Sequence, residues 1–175
     1  MKKSGKIALC GIFGALAVVI MLTAYFPYAT YAIPAVAGML FAVINIEAGA
    51  KWAFGAYASA AIITLIFCEK ESAMIFVFFF GYYPILKGII EGKNFGVLEK
   101  VIKHIIFSLT MVAAYVIIVN VFGIPLDETG EFGKWFSLVF LLLGNVVFYI
   151  YDIGLTRVIM LYINRYHTKI SKLFK

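Results

Sequence analysis

Apolar residues fill this chain in six long continuous runs, over residues 6–24, 33–45, 52–67, 72–90, 104–122 and 135–161. Runs of this kind predict helices that cross a bilayer, because about 20 helical residues traverse the hydrocarbon. Only helices and closed barrels satisfy their backbone polar groups in lipid. The runs are continuous, whereas the strands of a membrane barrel alternate. The pattern therefore predicts an all-α polytopic membrane protein, a single integral domain over 1–175 built as a six-transmembrane-helix bundle. Pro34 falls in the first turn of the second run, where its missing N–H does little harm. Gly81 and Pro84 interrupt the fourth run and predict a kink near its inner third.

Charge sets the orientation. Of the fifteen Lys and Arg residues, thirteen fall in segments that six crossings would place on one side. The other three connections hold five of the nine acids. Lys and Arg beside an apolar segment resist translocation, so the basic side is cytoplasmic and both termini lie there, in a cell (plasma) membrane. Composition agrees: the chain is 64% apolar and 14% charged, against roughly half and a quarter for a soluble domain. The net charge of +6 then reads as topology setting, with no nucleic-acid partner implied. The start, Met1-Lys2-Lys3-Ser4-Gly5-Lys6, imitates a signal peptide. Its apolar run is longer than a signal core of roughly 7–15 residues, so it reads as a retained first helix. Cys10 and Cys68 would lie near opposite faces of the membrane, too far apart for a disulfide.

Three groups of residues are candidates for function. Gly11, Gly14 and Ala15 put small side chains on the first helix, Gly11 and Ala15 at a spacing of four. Small residues let a second helix approach closely, either within this chain or from a partner. Tyr25, Phe26, Tyr28 and Tyr31 crowd the first outer connection, with Trp135 expected at the same level. They read as a headgroup belt or as a lid of stacking and hydrogen-bonding rings over a small ligand. Tyr115, Asn120 and Asn145 are polar within the apolar runs. Together with Tyr25, Tyr28, Tyr31 and Trp135 they make a candidate lining for a neutral or zwitterionic ring-containing molecule bound in the outer half, although Asn145 could equally be glue between helices. Asn145, Tyr149 and Asp152 share one helix face. Asp152, near the inner boundary, is expected to pair with Arg157, Lys51 or Lys87.

Signatures of catalysis are missing. There is no phosphate-binding Gly-x-x-x-x-Gly-Lys-Ser/Thr loop and no His-Glu-x-x-His motif. His104 and Ser108 stand four apart on one face, but no serine has a Gly-x-Ser-x-Gly setting. No Cys or His cluster suggests a metal. A non-enzymatic role without cofactor is expected.

The layout of a basic N-terminus, six apolar runs, a small-residue first helix, an aromatic outer loop and a basic tail resembles the substrate-binding S components of energy-coupling factor (ECF) transporters. The resemblance covers nearly the whole chain and is one of layout. It implies capture of a vitamin or related micronutrient from outside, and delivery through a T subunit and two ATPase subunits. The family's first-helix Ala-x-x-x-Ala docking pattern maps to Gly11 and Ala15, with glycine in the first place, and its outer lid to Tyr25 through Tyr31. No ligand-specific pattern is matched. The competing class is a non-transporting membrane scaffold similar to the MreD-type proteins of cell-wall assembly.

Both readings require the orientation deduced from charge. Cysteines introduced at Thr30 and Thr129 should react with an impermeant thiol reagent on intact cells, while one at Asn94 should stay silent. The opposite pattern would reverse the topology.

Overall fold

Every described element is helical, and no strand occurs among the described residues. The computed structural model describes residues 2–26, 30–93, 96–122 and 130–174; the side chains at 97, 115, 118–122, 130–138, 140 and 173 lie outside that description. Helix α1 covers Lys3–Leu22 and ends in a 3₁₀ turn, Thr23–Tyr25. Helix α2 is Ala32–Ala48 and α3 is Ala50–Phe67. They are separated only by Gly49, whose φ of 96° suits a residue without a Cβ. Helix α4, Lys70–Ile75, runs on through a π turn, Phe76–Phe80, to α5, Tyr83–Glu91. Helix α6 is Val97–Phe122, α7 is Gly130–Arg165 and α8 is His167–Leu173. Among the described residues, four segments are long and apolar enough to cross a membrane: 3–25, 50–67, 70–91 and 141–165, with α2 a shorter apolar helix.

The chain divides into two compact units, residues 1–94 with 155–175, and residues 95–154. In the first, α1, α2 and α3 pack on one another, and α2 also meets the π turn and α5. The core is built from Leu9, Met21, Phe41, Ile44, Phe76 and Ile85, with alanines between them. Alanine is frequent at these contacts because close approach maximises dispersion contacts, the main attraction available between helices in lipid.

The interruption expected from Gly81 and Pro84 begins earlier than the sequence suggested, at Phe76. In a regular helix the Gly81 N–H would bond to Val77; here it reaches the Phe76 carbonyl at 2.7 Å, a π-type bond. The Tyr57 hydroxyl donates to the Val77 carbonyl at 2.7 Å from α3. Pro84 has no N–H to give the Phe80 carbonyl. That carbonyl lies against Gly38 of α2, so closely that a Cβ there would collide with it. Around this point Phe41, Tyr57 and Phe76 form a ring cluster with centroids 5.9 to 6.1 Å apart. A proline in one helix is therefore accommodated by a tyrosine from a second and a glycine from a third.

In the second unit α6 meets the first part of α7. Phe107 stacks on Phe148 with centroids 4.3 Å apart. Gly144 leaves room for the Met111 thioether, which an added Cβ would meet at 2.7 Å.

Tyr57→Phe keeps the ring cluster and deletes the donor to Val77. Thermal unfolding in detergent should show a loss of about 1–3 kcal/mol, the usual effect of leaving a shielded polar group unpaired. Unchanged stability would mean that the π turn does not depend on this hydroxyl.

Candidate functional site

Helices α1 and α3 leave a groove of about 680 Å³ along the first unit. Gly11, Gly14 and Ala15 line one wall, and Gly55, Ser59 and Ala60 line the other. Gly11, Ala15, Gly55 and Ser59 are exposed. An added Cβ at Gly11, Gly14 or Gly55 would meet nothing within 4 Å, unlike the collision at Gly38. The groove is bounded by exposed apolar side chains such as Val19 and Ile63. Lys51 also lines it, and Lys6, at the same end of the unit, donates to the Ala48 carbonyl at 3.2 Å. The Ser59 hydroxyl is returned to its own helix, donating to Gly55 at 3.1 Å, and so presents little polarity to the groove. The geometry suits hydrocarbon or another helix, since small residues on both walls allow close approach of a third backbone.

The α3 half of this groove carries its own signal in the sequence. Gly55 and Ser59, like Ala56 and Ala60, stand four apart, the same spacing that singled out Gly11 and Ala15. Only packing α3 beside α1 shows that the two stripes share one opening.

At the other end of the first unit the aromatic connection is stitched to the segment between α3 and α4. Tyr25 donates to the Phe67 carbonyl at 3.0 Å, Tyr31 donates to Glu71 Oε1 at 2.9 Å, and Ser72 donates to the Thr30 carbonyl at 3.2 Å. Both tyrosine rings are nonetheless exposed. The hydrogen bond to Glu71 and its charge push the Tyr31 phenol above its ordinary pKa. Glu69 caps α4, accepting from the Glu71 and Ser72 N–H groups at 2.8 and 2.6 Å. Burial raises its carboxyl, but these bonds outweigh it and leave the group more acidic than usual. Burial raises the Cys68 thiol, and Cys10 and Cys68 are both free. Of the other candidate ligand residues, Tyr28 lies outside the described residues, as do the side chains of Tyr115, Asn120 and Trp135.

Asn145 belongs to the second unit, where its amide is largely engaged. Nδ2 donates to the Leu141 carbonyl at 3.0 Å and to Ser108 Oγ at 3.1 Å. The bond to Leu141 fixes which end of the amide is oxygen. Oδ1 then faces His104 Nδ1 at 3.0 Å, placed to accept from an imidazole N–H at that position. Tyr149 stacks on the same ring, 6.3 Å away and 23° from parallel. One turn beyond, Asp152 Oδ2 lies 3.6 Å from Lys103 Nζ. Lys103 was not among the partners the sequence suggested for Asp152. Lys87, which was, is buried and bonds Glu91 at 2.7 Å. The cross-helix partners His104, Ser108 and Lys103 escaped the sequence reading because the register of α6 against α7 is set by packing.

No group of three or more metal-ligating side chains occurs among the described residues. Comparisons with models of known families, with curated proteins and with solved structures give no match.

Proposed function

We propose that this chain is a membrane substrate-binding subunit of the ECF type, an S component. In this reading six helices cross the plasma membrane with both termini cytoplasmic. A vitamin or similar micronutrient is captured from outside beneath the aromatic connection, and a separate T subunit with two ATPases supplies the energy. The observation that carries the reading is the groove between α1 and α3. A face of small residues left open, with room at Gly11, Gly14 and Gly55 for atoms the chain does not supply, is suited to receive a partner helix. The hydroxyl anchors of Tyr25 and Tyr31 support a second element of the proposal. They hold the outer connection in place while leaving both rings open, as a lid over a ligand requires.

One observation favours the scaffold reading. His104, Ser108 and Asn145 are tied to one another, and Lys103 to Asp152. A bundle that only packs would pair its polar groups in this way.

Gly11→Leu and Ala15→Leu separate the readings. Both positions face outward, so the purified subunit should keep its melting temperature. The S-component reading expects each variant to lose co-purification with a T subunit and its ATPase activity. It also expects native mass spectrometry of the wild-type chain to find a retained small molecule. Variants that unfold would assign the stripe to internal packing. Intact variants and a wild-type chain that carries neither partner nor ligand would favour the scaffold.

A further inference from the structure

The C-terminal helix is a built element rather than a trailing tail. Helix α7 ends at Arg165, Tyr166 separates it from α8, and α8 packs within the first unit. Its seat is Glu47 of α2, a carboxylate with only 3% of its side chain exposed. One oxygen, Oε1, accepts from the Tyr162 hydroxyl at 2.7 Å and from His167 Nδ1 at 2.6 Å. Ile170 and Phe174 pack against the hydrophobic core. The Phe174 carbonyl rests on Gly5 of α1, where a Cβ would collide with it. The His167 bond and the Ile170 anchor of α8, the Tyr162 bond from the end of α7 and the Phe174 contacts just beyond α8 thus hold this segment across the end of the unit where α1 and α3 begin.

The outward side of that end is cationic. Lys2, Lys3, Lys51, Arg165, Lys169 and Lys172 are all exposed. Among neighbouring acids Glu47 is buried beneath α8, and Glu91 is paired with Lys87. The segments 3–25, 50–67 and 141–165 are among those long and apolar enough to cross a membrane. Their cationic ends at Lys3, Lys51 and Arg165 therefore fall at the depth of lipid headgroups, and α8 continues directly from one of them.

We propose that α8, seated on Glu47, together with the adjoining ends of α1 and α3, forms a binding surface for anionic phospholipid headgroups. Arg165, Lys169 and Lys172 supply the cations, while Ile170 and Phe174 are committed inward. The surface thus recognises headgroup charge and does not insert apolar side chains. Lipid is favoured over an acidic protein because the cations ring the ends of membrane-crossing helices at headgroup depth. Each cation in that zone contributes roughly five-fold to binding. This inference needs the membrane-crossing helices and is independent of any transport function.

The test titrates short-chain phosphatidylglycerol and, separately, phosphatidylcholine into the detergent-solubilised full chain, with retained lipid counted by native mass spectrometry. The wild-type chain should prefer phosphatidylglycerol, and salt should weaken the preference. The triple variant Arg165→Gln, Lys169→Gln, Lys172→Gln changes only exposed positions and should reduce the preference by on the order of a hundred-fold while α8 remains protected from hydrogen exchange. Glu47→Leu should instead speed exchange across residues 167–173 and weaken the preference without removing a cation. Equal retention of the two lipids, or a triple variant that keeps the preference, would overturn the proposal. So would polyglutamate binding as tightly as the lipid, since the surface would then be one for acidic protein. A Glu47→Leu chain with loosened α8 and full lipid preference would overturn the role of the seat.

Discussion

A carbonyl or N–H group in hydrocarbon has no water to fall back on, so each one freed from a helix must find a partner inside the protein. The first unit is arranged around one such demand. Pro84 withholds a bond from Phe80, and the π turn shifts the Gly81 N–H from Val77 to Phe76. Tyr57 answers at Val77, and Gly38 lets α2 close on the Phe80 carbonyl. The positions of α2 and α3 against the α4–α5 segment are thereby coupled through backbone chemistry as well as through side-chain packing. The same demand recurs at smaller scale where Tyr25 bonds to the Phe67 carbonyl at the end of α3 and Lys6 to the Ala48 carbonyl at the end of α2.

Glycine plays two opposite parts in this unit. Gly5 and Gly38 are filled from outside their own helix by a neighbouring carbonyl, and a side chain there would displace a backbone. Gly11, Gly14 and Gly55 meet nothing. A glycine costs a helix about 1 kcal/mol relative to alanine, so three unfilled glycines along one groove are hard to explain by the stability of the isolated chain. They become intelligible if another helix fills the space, and the proposed docking role rests on that contrast. In the second unit the polar residues are used differently. The Leu141 carbonyl orients Asn145, Asn145 orients His104, and the α6–α7 contact is specified by amide and imidazole hydrogen bonds beside stacked rings.

The helical class and the approximate limits of the apolar helices were legible because they depend on runs of residue type, which need no partner to read. The small-residue stripe on α1 was legible for the same reason. Its counterpart on α3 had an equally clear spacing, but nothing local says that α1 and α3 lie side by side. The π turn that precedes Gly81 was not legible, because proline and glycine mark where a helix loses bonds, while the helix absorbs that loss a turn earlier, where Tyr57 can reach it. The contacts of Lys103 with Asp152 and of His104 with Asn145 were hidden for a further reason. Lys103 and His104 are adjacent in sequence yet meet residues seven apart on α7, a relation fixed only by the register of two helices. The seat of α8 joins Glu47 to His167, a separation that no local pattern can signal.

The central claim is that the groove between α1 and α3 is open in the isolated chain and occupied by another protein in the cell. A photo-crosslinking amino acid at Ser59, on the α3 wall, tests it most directly in intact membranes. The account predicts an adduct with a separate polytopic membrane protein that carries ATPase subunits with it, abolished when Gly11 on the opposite wall is replaced by Leu. Adducts confined to lipid or to this chain itself, unchanged by Gly11→Leu, would contradict it.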